Sequence, residues 1–147
     1  MFVKTIKFID FNGNEQEREY YFHLSKAEIL KMEASKSGGL DKVLERIVKD
    51  KNYKEIVEFI EDIIMKSYGV KSVDGLSFDK TEATRQAFKD SPAYSELFME
   101  LATDSNKLVD FINNIIPADM REQVEQVEKA EASKVVDFPI SSTTTEA

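Results

Sequence analysis

Residues 2–30, FVKTIKFIDFNGNEQEREYYFHLSKAEIL, form the stretch whose reading decides the fold. Two runs rich in aromatic and β-branched residues, Phe2–Asp10 and Glu15–Leu24, flank Asn12-Gly13. That dipeptide is a turn signal, so the pattern predicts an antiparallel β-hairpin. Two registers compete. A two-residue turn at Asn12-Gly13 sets Lys7 opposite Arg18 and Ile6 opposite Glu19. A three-residue loop, Phe11-Asn12-Gly13 with Gly13 left-handed, pairs Lys7 with Glu17 and Phe2 with Phe22. Only the second gathers Phe2, Ile6, Phe8, Tyr20, Phe22 and Leu24 on one face and leaves Glu15, Glu17 and Glu19 on the other. A slip of one residue would mix the two sets, so the three-residue loop is the register expected. Ser25 with Glu28 then reads as a capping box, and Leu24 with Ile29 as a hydrophobic staple across it. A helix follows through Met32 and Ala34 and breaks at Ser37-Gly38-Gly39.

Beyond this stretch the period changes from two to 3.6. Leu40, Val43, Leu44, Ile47 and Val48 make one helical stripe. After Asp50-Lys51-Asn52, Tyr53, Ile56, Val57, Ile60, Ile63 and Ile64 repeat it in a longer helix expected to end at Gly69; the two read as an antiparallel pair. Val70–Phe78 is a loop or small hairpin around Asp74-Gly75. Asp79 is placed to cap a short helix, with Glu82 at the third position. Ser91-Pro92 ends that helix and opens the next, Pro occupying the first helical position where a missing N–H costs nothing. Asp104 caps a further helix carrying Leu108, Phe111, Ile112, Ile115 and Ile116, stopped by Pro117. The fold class is therefore α+β, a mainly helical domain with an N-terminal antiparallel β-hairpin, the aromatic face of which five or six helices must cover. In domain terms, residues 1–118 hold the hairpin and helices. Residues 119–132 are charged and marginally helical, with Met120, Val124 and Val127 as a thin stripe. Residues 133–147 read as a disordered tail.

Composition bounds the function. The chain has 147 residues, 20 Lys+Arg against 28 Asp+Glu, one His and no Cys; apolar residues make up 41% and charged ones 33%. That length suits one domain. A net charge of −8 argues against nucleic acid, whose phosphates need clustered Lys/Arg. No apolar run exceeds three residues, so neither a membrane span nor a secretory signal is expected. The absence of cysteine excludes disulfides, thiol catalysis and Cys-built metal sites in this chain.

No residue set points to catalysis. His23, the only histidine, would need a partner to act as general base or ligand, and its placement near a strand end suits a plain structural position. Carboxylates alone, without loop spacing, make no metal site. No phosphate-binding or nucleophile motif occurs among the five glycines. Glu61-Asp62 and the Glu15/Glu17/Glu19 row are the densest acidic groups, and both read as solvated faces. No catalytic residue, cofactor or metal is expected. One apolar stripe, Tyr94, Leu97, Phe98, Met99 and Leu101, is wider than a single helix face demands. Core packing explains most of it; the sharper reading makes part of it a groove for a partner helix, with Met99 supplying adaptable contact. Phe138, with Val135 and Ile140, is a further candidate anchor in the tail.

Taken together, several stretches resemble the tail assembly chaperones of long-tailed bacteriophages infecting Gram-positive hosts. They are the hairpin ending in YYFHLSKAEILKME, then SGGLDKVLERIV, IIMKSYGVKSVDGLSFDK, SPAYSELFMELATD and FINNIIPAD. The resemblance covers roughly residues 2–119. It implies a protein that is not an enzyme, that binds the tape measure protein, keeps it soluble, and helps tail tube subunits polymerise around it. It also implies residence in the host cytoplasm during infection, absence from the mature virion and, for many members, a longer frameshifted form. Tyr94, Leu97, Phe98, Met99, Leu101 and Phe138 are the partner-binding candidates under that reading, with self-association left open. Two other classes compete: a structural tail component retained in the virion, and an acidic inhibitor of a host DNA-binding protein. Mass spectrometry of purified virions separates the first; salt-sensitive capture of a nuclease or polymerase separates the second.

Overall fold

The computed structural model describes residues 1–34, 45, 49 and 53–117. The expected helix over Leu40–Val48 (apart from Glu45), the charged segment 119–132 and the tail with Phe138 lie outside the described residues. Strand β1 (Phe2–Ile9) pairs antiparallel with β2 (Glu15–Phe22), with Phe2 opposite Phe22 and Lys7 opposite Glu17. This is the register of the three-residue loop. Gly13 has φ of 86°, and its N–H donates to the Asp10 carbonyl at 2.9 Å. The Asp10 carboxylate organises the same turn, accepting from the Asn12 and Asn14 amides, both at 2.9 Å, and from Gln16 Nε2 at 2.8 Å. A side chain that takes the place of missing backbone partners makes a five-residue connection rigid.

Helix α1 (Lys26–Glu33) starts as the capping box requires: the Glu28 amide donates to Ser25 Oγ at 3.1 Å and the Ser25 amide to Glu28 Oε1 at 2.9 Å. Helix α2 (Tyr53–Ser67) ends two residues earlier than its period suggested. The reason is tertiary. Tyr68 and Gly69 pair with Phe22 and Tyr21, which draws them into strand β3 (Tyr68–Lys71). Strand β4 (Phe78–Asp79) pairs back on β3, giving a four-stranded antiparallel sheet in the order β1-β2-β3-β4. Helices α3 (Glu82–Lys89), α4 (Pro92–Thr103) and α5 (Ser105–Ile115) follow. The cap of α3 is Thr81, whose Oγ1 accepts from the Thr84 amide, and not Asp79 as its position suggested. Asp79 instead supports that cap, accepting from the Thr81 amide and Thr84 Oγ1, both at 2.9 Å. Ser91 and Asp104 cap α4 and α5 as expected.

The described residues divide into two compact units, 1–24 with 57–115, and 25–34, 45, 49 and 53–56 with 116–117. The first contains the sheet and most of its helices. Its core is an aromatic cluster at the end of the hairpin. Phe22 is fully buried, with ring centroids at 5.2 Å from Phe111, 5.7 Å from Tyr68 and 5.9 Å from Phe88. Phe2 meets Phe111 edge-on at 5.7 Å, and Tyr68 stacks on Phe88 at 4.1 Å. Aliphatic side chains from α2, α4 and α5, among them Ile60, Ile63, Leu97 and Ile112, complete it. The hairpin's apolar face is thus covered by helices, as a two-stranded ribbon needs for stability.

Candidate partner-binding site

Helix α4 carries five of the six candidate residues, and its geometry sorts them. Ala93, Leu97 and Leu101 recur at i, i+4 and i+8 and are all buried, so this row is core. Tyr94 and Phe98 lie one step round the helix, half-buried, with centroids 5.9 Å apart. Tyr94 also stands edge-on to Phe88 at 5.8 Å. Burial, reinforced by the charge of Glu61, pushes the Tyr94 hydroxyl up to about 12, so it is a neutral donor at any physiological pH. Met99 is 55% exposed. At about 100° per residue it projects from the side nearly opposite Leu97. The structure therefore joins Tyr94 to Phe98, sets Leu97 and Leu101 beneath them, and leaves Met99 on a separate face. Phe138 lies outside the described residues.

The charged groups behave as solvated surface. Glu61 reaches across to Lys89 on α3 at 2.9 Å, whereas its neighbour Asp62 pairs along its own helix with Lys66 at 2.9 Å. Adjacent acids on a helix point apart, and these two do. Glu15, Glu17 and Glu19 are exposed. Lys4 shares the hairpin face of Phe2 and Ile6; it meets Glu100 of α4 at 3.0 Å, and Lys107 of α5 joins the same carboxylate at 3.4 Å. His23 lies edge-on to Phe78 at 6.4 Å, and its carbonyl accepts from Lys80 Nζ at 2.7 Å. Lys80 also donates to the Lys66 carbonyl at the C-terminus of α2, at 2.9 Å. A cation there suits the helix dipole and ties the end of β2 to the end of α2. Among the described residues, no group of three His, Cys, Asp or Glu could hold a metal, and no helix is long and apolar enough to cross a membrane.

The most exposed large apolar side chains lie elsewhere, in the two sheet turns. Phe11 is 85% exposed, Leu76 87% and Val73 fully so. Helical or strand periodicity does not single them out, because they sit where the pattern is interrupted. The available signal was an apolar residue inside an Asp/Asn/Gly turn, where no neighbouring strand can cover it.

The family model described as phage tail assembly chaperone matches residues 1–147. No curated protein and no solved structure matches significantly. With the match running the length of the chain, over the same hairpin and helices that carried the resemblance, the protein belongs to the phage tail assembly chaperone family.

Proposed function

We propose that this chain binds the tape measure protein of a long-tailed phage of a Gram-positive host, keeps it soluble, and promotes polymerisation of tail tube subunits around it. It does so in the host cytoplasm during infection, without catalysis, and is absent from the mature virion. The observation that carries this reading is the family match over the whole chain. Physical chemistry supports it. A long client with exposed apolar helix faces needs apolar surface to cover them and like charge to keep complexes apart. The chain supplies a net charge of −8 around exposed or half-exposed Tyr94, Phe98 and Met99. Leu97 and Leu101 back the aromatic pair from within, so they shape the surface and leave contact to their neighbours. Binding only the soluble form of an aggregation-prone client stabilises that form by mass action.

Co-expression tests it. With the cognate tape measure protein, soluble yield of that client rises and the two co-purify; equal expression with neither effect refutes the proposal. Mass spectrometry of purified virions is the second arm, since a high copy number there identifies a structural tail component instead.

A further inference from the structure

Strands β1 and β2 run to a turn at Asp10–Asn14, and β3 lies antiparallel to β2 with Tyr21 opposite Gly69 and Phe22 opposite Tyr68. β3 therefore heads toward the β1–β2 turn, and the β3–β4 turn at Ser72–Ser77 points to the same end of the sheet. Both turns are held by an aspartate in the same way. Asp10 accepts from two turn amides and Gln16; Asp74 Oδ1 accepts from Ser72 Oγ at 2.7 Å and the Leu76 amide at 3.0 Å, while Ser72 Oγ accepts from the Ser77 amide at 3.1 Å. Gly75, like Gly13, has the positive φ its turn needs. Large apolar side chains stand out in water at each ordered turn: Phe11 in the first, with Ile9 at the end of β1 leading into it, and Val73 and Leu76 in the second. Four of the ten exposed large apolar residues among those described thus share one end of one sheet. Isolated exposed apolar residues are ordinary, but a group on pre-ordered turns is not, because its ordering entropy is already spent before any partner arrives.

From strand rise and spacing, the two tips stand roughly 15 Å apart. About ten residues of α-helix span that distance. The charges between and around them are Asp10, Glu15, Glu17, Glu19 and Asp74 against Lys7, Arg18 and Lys71. Lys7 already meets Glu17 at 3.8 Å, and Lys71 turns to the Ser72 carbonyl at 3.3 Å. The local field is therefore negative. A second copy of this chain docked here would bring like charges together, which disfavours self-association through this end.

We propose that the paired turn tips, with Ile9, Phe11, Val73 and Leu76 as anchors, are a docking end for an amphipathic helix of another polypeptide whose apolar stripe is flanked by Lys or Arg. This rests on the chaperone reading and locates its client contact away from α4.

The test uses the full chain and a helical peptide of about 20 residues with a leucine stripe flanked by lysines, beside a twin with glutamates for lysines. The lysine peptide binds, more weakly as salt rises, and the glutamate twin binds at least about 10-fold more weakly. The Phe11→Ser/Leu76→Ser variant melts like the parent and loses about 10-fold or more in affinity. Equal binding of both peptides, or an unchanged affinity in the variant, overturns the proposal. So does a change of oligomeric state in that variant by sedimentation, which would make the occupant a second copy. Co-expression with the tape measure protein separates the two levels. If the parent chain fails to solubilise it, the chaperone reading fails; if parent and variant solubilise it equally, only the docking end is wrong.

Discussion

Replacing Phe22 by alanine tests whether the aromatic cluster is what holds the hairpin to its helices. The side chain has no solvent exposure, and the rings around it come from four separate elements: Phe2 of β1, Tyr68 of β3, Phe88 of α3 and Phe111 of α5. Each ring is anchored on a different backbone and has its own neighbours, so the void cannot close by one small shift. Truncating a buried phenylalanine costs about 3–5 kcal/mol, and the poor prospects for collapse put this site in the upper half of that range. Against a typical total of about 5–15 kcal/mol, the variant is close to the limit of folding. Urea denaturation followed by circular dichroism measures it: with a slope of about 1–3 kcal/mol/M, the midpoint falls by at least about 1 M. Phe11→Ser is the control, since an exposed turn residue changes stability by less than about 0.5 kcal/mol. A loss below about 1 kcal/mol for Phe22→Ala, or an equal loss in both variants, would refute the assignment of Phe22 to the centre of the core.

Three further outcomes follow from the same contacts. Lys80→Met keeps the aliphatic stem but removes the donor shared by the His23 and Lys66 carbonyls, costing about 1–3 kcal/mol in urea unfolding, whereas a value near zero would show the clasp to be idle. In a spectrophotometric titration one tyrosine ionises only near pH 12, and Tyr94→Phe deletes that step. Because burial raises the Tyr94 pKa, stability is complete below the ordinary value of about 10 and declines as pH rises toward 12. On the acid side, hydrogen bonds hold Asp10, Asp74 and Asp79 below the usual carboxylate value, Asp10 mainly through Gln16, Asp74 through Ser72 and Asp79 through the Thr81 amide. Their contribution is present above about pH 4 and is lost as pH falls through the lower folded values, so Asp74→Asn makes the midpoint less acid-sensitive than the parent's; an unchanged pH profile contradicts the turn geometry.

Family membership bears on how much of this surface is functional. A chaperone must cover apolar client surface and release it, so its own apolar groups have to be accessible yet few enough to keep it dispersed. The described residues meet that condition in two places, the Tyr94–Phe98 face of α4 and the turn tips of the sheet. Co-expression with the Phe11→Ser/Leu76→Ser variant tests the proposal that the turn tips are the contact.

The amino-acid sequence by itself determined what depends on neighbours within about four residues or on strict alternation. The hairpin register was legible because only one pairing separates Phe2, Ile6, Phe8, Tyr20 and Phe22 from Glu15, Glu17 and Glu19. The starts of α1, α4 and α5 were legible because Ser25, Ser91 and Asp104 each satisfy backbone amides two or three positions on. Only the tertiary structure decided where α2 stops, since Tyr68 and Gly69 carry helix-compatible spacing but gain hydrogen bonds from a strand more than 40 residues earlier. Lys80 and Phe78 likewise acquire their places from His23, Lys66 and Gly69, partners that no local pattern announces. The width of the α4 stripe could not reveal which members face water, because exposure depends on whether β1, α2 and α3 arrive to cover them. Local chemistry sets the elements; the burial that turns a stripe into core or contact surface is settled by long-range packing.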